Sequence, residues 1–188
     1  MKGKGLLVAA IVLAALSGTL YWSNHRKPAS NTVTSAAEAS PRVLEIKPAD
    51  VVGIKIAKRD GQTLAVSKNA SGKWQITSPK PWAADQDAVS SLLSTLSPLN
   101  SDRLLEEKAT DLNAYGLTKP AAEITVTEKN NKSEDLLLGD DTPTSNGTYA
   151  AVEGDPRVFV IASYNKTALD KGENDLRDKR LLTFDSEK

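Results

Sequence analysis

Asp140, Asp141 and Asp155 are carboxylates that could serve a hard cation through oxygen ligands. The alternating acidic ligands of a calcium-binding loop are absent from Gly139-Asp140-Asp141, so a solvated turn after a strand is the simpler reading. Asp85 and Asp87 could act as a carboxylate pair in acid–base chemistry. They also open an apolar-periodic stretch, where capping and complementing a helix dipole explain them as well. Ser90, Ser91 and Ser94 have no activating partner, because His25 is the one histidine. The chain has no cysteine, so thiol nucleophiles, disulfides, zinc–cysteine sites and a lipidated Cys are excluded. No glycine-rich phosphate loop occurs. No catalytic, metal-binding or cofactor-binding residue is therefore expected. Recognition remains. Trp82, between Pro81 and Ala83, is expected in a loop and partly exposed, where it anchors a partner or ligand or else lids the core. Arg177-Asp178-Lys179-Arg180 could grip an anionic headgroup or partner, or form a solvated helix face with Asp175 and Asp178 pairing to Arg177 and Arg180. The candidate contact residues are Trp82, Arg177 and Arg180.

The elements that would position these residues can be read from periodicity. Val51 to Ile56 and Thr63 to Val66 form a hairpin about Arg59-Asp60-Gly61-Gln62. Lys73 to Thr77 follows as a third strand after Asn69-Ala70-Ser71-Gly72, and Pro79 and Pro81 stop it. Asp85 to Leu96 is the clearest helix, with Val89, Leu92, Leu93 and Leu96 on one face and Pro98 beyond its end. Ser101 to Leu105 is a candidate strand, and Asp111 to Leu117 a helical turn closed by Gly116. Four more strands are expected at Glu123–Thr127, Glu134–Leu138, Thr148–Val152 and Arg157–Ile161, then helices at Ser163–Leu169, capped by Ser163, and Asn174–Leu182. No β-α-β alternation appears. The expected class is α+β: an antiparallel sheet-rich domain with a few helices.

Of the 24 basic residues four lie within residues 1–28, which hold no acidic residue; the rest of the chain carries 20 basic and 24 acidic groups. A balanced, mildly acidic head speaks against nucleic acid as a partner. The basic surplus flanks Leu6 to Trp22, an uncharged apolar run whose helical length of roughly 26 Å approaches a ~30 Å hydrocarbon core. Tyr21 and Trp22 would sit at the interface. The run reads as a single N-terminal transmembrane helix, an uncleaved signal anchor over 6–22 with residues 1–5 cytoplasmic. A signal peptide cut near Ala15 or Ser17 is the competing reading. Residues 23–42, rich in Pro, Ser, Thr and Ala, form a flexible linker. Residues 43–188 form the extracytoplasmic domain.

A set of ordered motifs then carries a resemblance. Lys73-Trp74-Gln75-Ile76-Thr77-Ser78-Pro79, Ala84-Asp85, Tyr115-Gly116-Leu117 with Pro120, Leu138-Gly139-Asp140, Tyr149, Arg157-Val158-Phe159 and Leu176 to Leu182 together resemble the bacterial domain-of-unknown-function family 4340. The resemblance runs over roughly residues 44–184. It implies a protein of the bacterial inner membrane, single-pass and largely extracytoplasmic. Members often lie beside genes for an ABC-type transporter linked to gliding motility, which implies an ABC transporter component as an envelope partner. The family has no established catalytic residues to carry over. Members are often longer, and Leu181 to Lys188 echoes Val43 to Asp50, so a short member and a truncated one both fit. The expected function is a non-catalytic, membrane-anchored envelope module, auxiliary or scaffold to a transport system. The alternative is a periplasmic domain that binds a sugar, peptide or lipid.

Overall fold

The computed structural model describes residues 40–180. The expected membrane segment 6–22, the linker up to residue 39, His25 and residues 181–188 lie outside the described residues. Among the described residues no helix is long and apolar enough to cross a membrane.

Among the described residues eleven strands and three short α-helices follow one another along the chain. They are β1 (Arg42–Leu44), β2 (Val51–Lys58), β3 (Thr63–Lys68), β4 (Trp74–Ser78), β5 (Trp82–Ala83), α1 (Gln86–Leu96), β6 (Leu99–Asn100), β7 (Arg103–Glu106), β8 (Ala122–Glu128), β9 (Ser133–Asp141), β10 (Gly147–Val152), β11 (Val158–Ala162), α2 (Ser163–Leu169) and α3 (Glu173–Leu176). Nine strands form one sheet in the order β5-β4-β3-β2-β8-β9-β10-β11-β7, and β1 pairs with β6 separately. Every strand pair is antiparallel. The fold is α+β, built on an antiparallel sheet.

The sheet has two arms with the same order of elements. From the central β2·β8 pair, where Ile54 faces Val126 and Ile56 faces Ile124, one arm runs outward as β2-β3-β4-β5 and ends in α1. The other runs outward as β8-β9-β10-β11 and ends in α2. After each helix the chain crosses to the opposite arm. β7 follows α1 and pairs with β11, while Arg177 follows α3 and bridges to Ala84 beside β5.

Alternation decides which face is buried. Ile54, Ile56, Leu64, Val66, Ile76, Ile124, Val126, Leu136 and Leu138 point to one side and are covered by Val89, Leu92, Leu93 and Leu96 of α1 with Leu169 and Leu176. Asp85 caps α1, its carboxylate accepting from the amides of Asp87 and Ala88 at 3.0 and 3.1 Å. A smaller cluster on the other face joins Leu117, Ala151 and Val158.

Three expectations need correction. Trp82 lies on the two-residue strand β5 rather than in a loop, because its backbone pairs with Ile76 of β4. Ser163 does not cap α2: Ala162 holds the cap position without a side-chain bond, and the Ser163 hydroxyl donates instead to the Ser145 carbonyl at 3.1 Å. Of the expected helix over 174–182, the described residues form only the four-residue α3, and residues 181–182 lie outside them. Its continuation is extended because the edge of β5 offers backbone partners: Asp85 N–H donates to Leu176 O at 2.8 Å, and Asp178 N–H donates to Ala83 O at 2.9 Å. Residues 177–180 therefore line a sheet edge and do not form a solvated helix face.

Candidate functional site

Trp82 and Arg177, separated by 95 positions in the chain, meet at this edge. Trp82 is 43% exposed, which is unusual for so large a side chain. The Arg177 guanidinium stacks over its ring at 5.4 Å from the centroid, a cation–π arrangement that fixes both groups. Arg177 also approaches Glu173 at 3.8 Å. The buried Leu176 anchors the segment that delivers Arg177.

Arg180 does not join the stack. It is committed to Asp178 through a bidentate pair, with Nε at 2.9 Å and Nη2 at 2.8 Å from the two carboxylate oxygens. That contact holds the Asp178 carboxyl at about 2, well below the usual carboxylate range. Of the carboxylates expected to pair here, Asp178 takes Arg180, whereas Asp175 accepts from the Gly172 amide at 2.8 Å and Arg177 finds Glu173 instead.

Beside β5 runs a groove of about 420 Å³, lined among others by Lys73, Trp74, Gln75, Gln86, Asp178 and Arg180. Gln86 was not legible as a site residue. Its amide clips the edge together, accepting from Trp74 N–H at 2.9 Å and donating to the carbonyls of Trp74 and Ala84 at 3.0 and 2.8 Å. Lys68 lies over the Trp74 ring at 5.0 Å. Neither lysine carried a sequence signal, because lysines on strand ends and turns are common solubilising residues. A second groove, of about 280 Å³, lies over Ile56, Leu64 and Pro79.

The carboxylates considered for cation binding are placed apart. Asp141 faces Thr148 at one end of β10, and Asp155 follows the other end of that strand. Asp140 accepts from Arg59 at 2.9 Å, Asp141 from Lys166 at 2.7 Å, and Asp155 from Arg157. The Lys166 ammonium and the Thr148 hydroxyl lower the Asp141 carboxyl, and the Arg157 guanidinium lowers that of Asp155.

Three of the motifs that carried the family resemblance, Tyr115-Gly116-Leu117, Leu138-Gly139-Asp140 and Tyr149, touch one another on the second face of the sheet. Gly116, at φ +66°, closes the 3-10 turn Leu112–Tyr115 against β9. A Cβ at Gly116 would lie 2.4 Å from the Asp140 carboxyl carbon, and one at Gly139 would lie 2.1 Å from the Tyr115 carbonyl oxygen. Arg59 spans the joint, donating to Asp140 and, at 3.4 Å, to the Gly116 carbonyl. Tyr115 donates to Glu106, which raises the phenol above its ordinary value, and its ring meets Tyr149 edge-on at 5.1 Å. This is a packing joint between the turn and the sheet.

The described residues form an antiparallel α+β domain with an aromatic–cationic edge and a glycine-dependent joint on its second face. The chain belongs to the family described as Domain of unknown function (DUF4340), whose model matches residues 74–188. The match begins at β4, so β1 to β3 lie before it. No curated protein and no solved structure matches the chain.

Proposed function

We propose that this protein is a non-catalytic, membrane-tethered module of the bacterial envelope that engages another envelope protein through the Trp82–Arg177 edge, as an auxiliary or scaffold component of an ABC-type transport system. The observation that carries the reading is an exposed indole held rigid by a guanidinium at one edge of the sheet. Trp and Arg are the side chains that most often anchor interfaces, because they bury large area with little entropy left to lose.

The alternative, a periplasmic domain for a sugar, peptide or lipid, is favoured by the groove beside β5. Its polar groups are largely satisfied already: Gln86 by backbone, Asp178 by Arg180, and the Asn69 carbonyl by the amides of Ser71 and Lys73. Such a lining leaves few open acceptors for the hydroxyls or amides of a free small molecule, and the donors still open are cationic.

The test places a photo-crosslinking amino acid at position 80, next to Trp82, in the full chain expressed in its native membrane. A discrete heavier product that is lost in Trp82→Ala supports the partner reading. Crosslinking to no protein overturns it.

A further inference from the structure

The charge around the β5 edge says more about the partner, on the reading that this edge is where a partner docks. We propose that the groove beside Trp82 receives an extended, acidic segment of that partner protein, its carboxylates meeting Lys68, Lys73 and Arg180 while an apolar residue covers the open face of Trp82.

Three observations carry this. Lys68 and Lys73 form no ion pair among the described residues, although nine other Lys, Arg, Asp and Glu pairs do form. Lys73 lines the groove, and Lys68 stands over the Trp74 ring that lines it. Second, two nearby carboxylates are already used: Asp178 holds Arg180, and Asp85 holds the first amides of α1. Asp85 and Asp87, at the start of α1, both attract Arg180, but only at longer range. Third, Arg180 spends Nε and Nη2 on Asp178, and its Nη1 makes no hydrogen bond among the described residues. Lys68 and Lys73 thus present ammonium donors without a carboxylate in ion-pair reach, and Arg180 keeps one nitrogen open beside its pair with Asp178. An extended segment suits such a row because alternate side chains fall on one side of a strand. Acidic side chains on that side neutralise the cations, and screening by salt should weaken the contact.

The experiment uses the detergent-solubilised full chain and two fluorescent octapeptides, one alternating Glu and Ala, the other Gln and Ala. The Glu peptide is expected to bind at least tenfold more tightly than the Gln peptide at low salt, with the difference shrinking as salt rises. Lys68→Glu/Lys73→Glu is expected to remove that preference. Lys73→Glu alone, at an exposed turn, is expected to reduce it and serves if the double variant fails to fold. Equal binding of the two peptides, or an unchanged preference in Lys73→Glu, overturns the proposal. In cells, the position-80 crosslink separates the two ideas. A product that forms undiminished in Lys73→Glu overturns the acidic segment and leaves the partner reading standing. Absence of any product in the unmodified background overturns both.

Discussion

Gly139 illustrates how one missing side chain can matter more than many present ones. It is buried on β9, and a Cβ there would collide with the Tyr115 carbonyl, a backbone atom that cannot step aside. Gly139→Ala is expected to cost about 3 kcal/mol, the upper range for overpacking. Gly116→Ala combines a left-handed φ with a clash against Asp140 and should cost about 2 kcal/mol. Gly61, at φ +89° with nothing within 4 Å of its Cβ position, is the control, expected to lose about 1 kcal/mol. Urea denaturation of the three variants, compared with the parent, ranks them. At the same scale, Asp178 offers a pH test. Its carboxyl titrates at about 2 when folded, against about 4 in an unfolded chain. The lowered value means that the Arg180 contact adds stability above pH ~4 and loses it as pH falls toward 2. Carbon-detected NMR titration should find the Asp178 midpoint near 2 in the parent and closer to 4 in Arg180→Ala. The Gly116 turn was legible from Tyr115-Gly116-Leu117, because only glycine closes a helical turn in that conformation without strain. The partner across it was not, since nothing in residue 116 names residue 140.

Among the elements, α1 was legible almost to the residue. Its apolar spacing, its capping Asp85 and the proline past its end all agree. Asp85→Ala should therefore cost about 1 kcal/mol, the usual loss for an N-cap. Ser163→Ala is expected to cost clearly less, because Ser163 makes a single exposed bond to a loop carbonyl and caps nothing. Thermal melts of the two variants check the contrast. A serine before a helical pattern reads as a cap in sequence. Here the buried strand β11 runs directly into α2, so tertiary packing rather than capping sets where that helix starts. The segment 177–180 shows the same override. Its charges at helical spacing suggested a helix face, but unpaired backbone at the edge of β5 is a stronger attractor than local propensity.

At the scale of the molecule, the two arms explain how a single mixed order of strands and helices closes into one sheet. Each arm ends at an edge, and the chain leaving the other arm's helix covers that edge, which leaves little strand backbone open to unwanted pairing. On the proposed tether, the full chain should resist alkaline carbonate extraction from membranes, and a chain lacking residues 1–27 should be released into the soluble fraction with its fold intact. Release of the full chain under the same treatment would remove the tether from the proposal.

The amino-acid order alone determined most of the antiparallel strands, the one long helix and the glycine-closed turn, because each depends on neighbours a few positions apart, and composition alone excluded thiols. It also singled out Trp82 and Arg177, one as a large apolar side chain among prolines and the other as part of a basic run. That the two stack on each other, and that Lys73 lines the groove beside them while Lys68 stands over Trp74, was decided only by the tertiary structure. Those contacts depend on which strands lie side by side across the sheet and on where the chain crosses after each helix. Such long-range pairings are set by the packing of the whole core and leave no local periodicity to read.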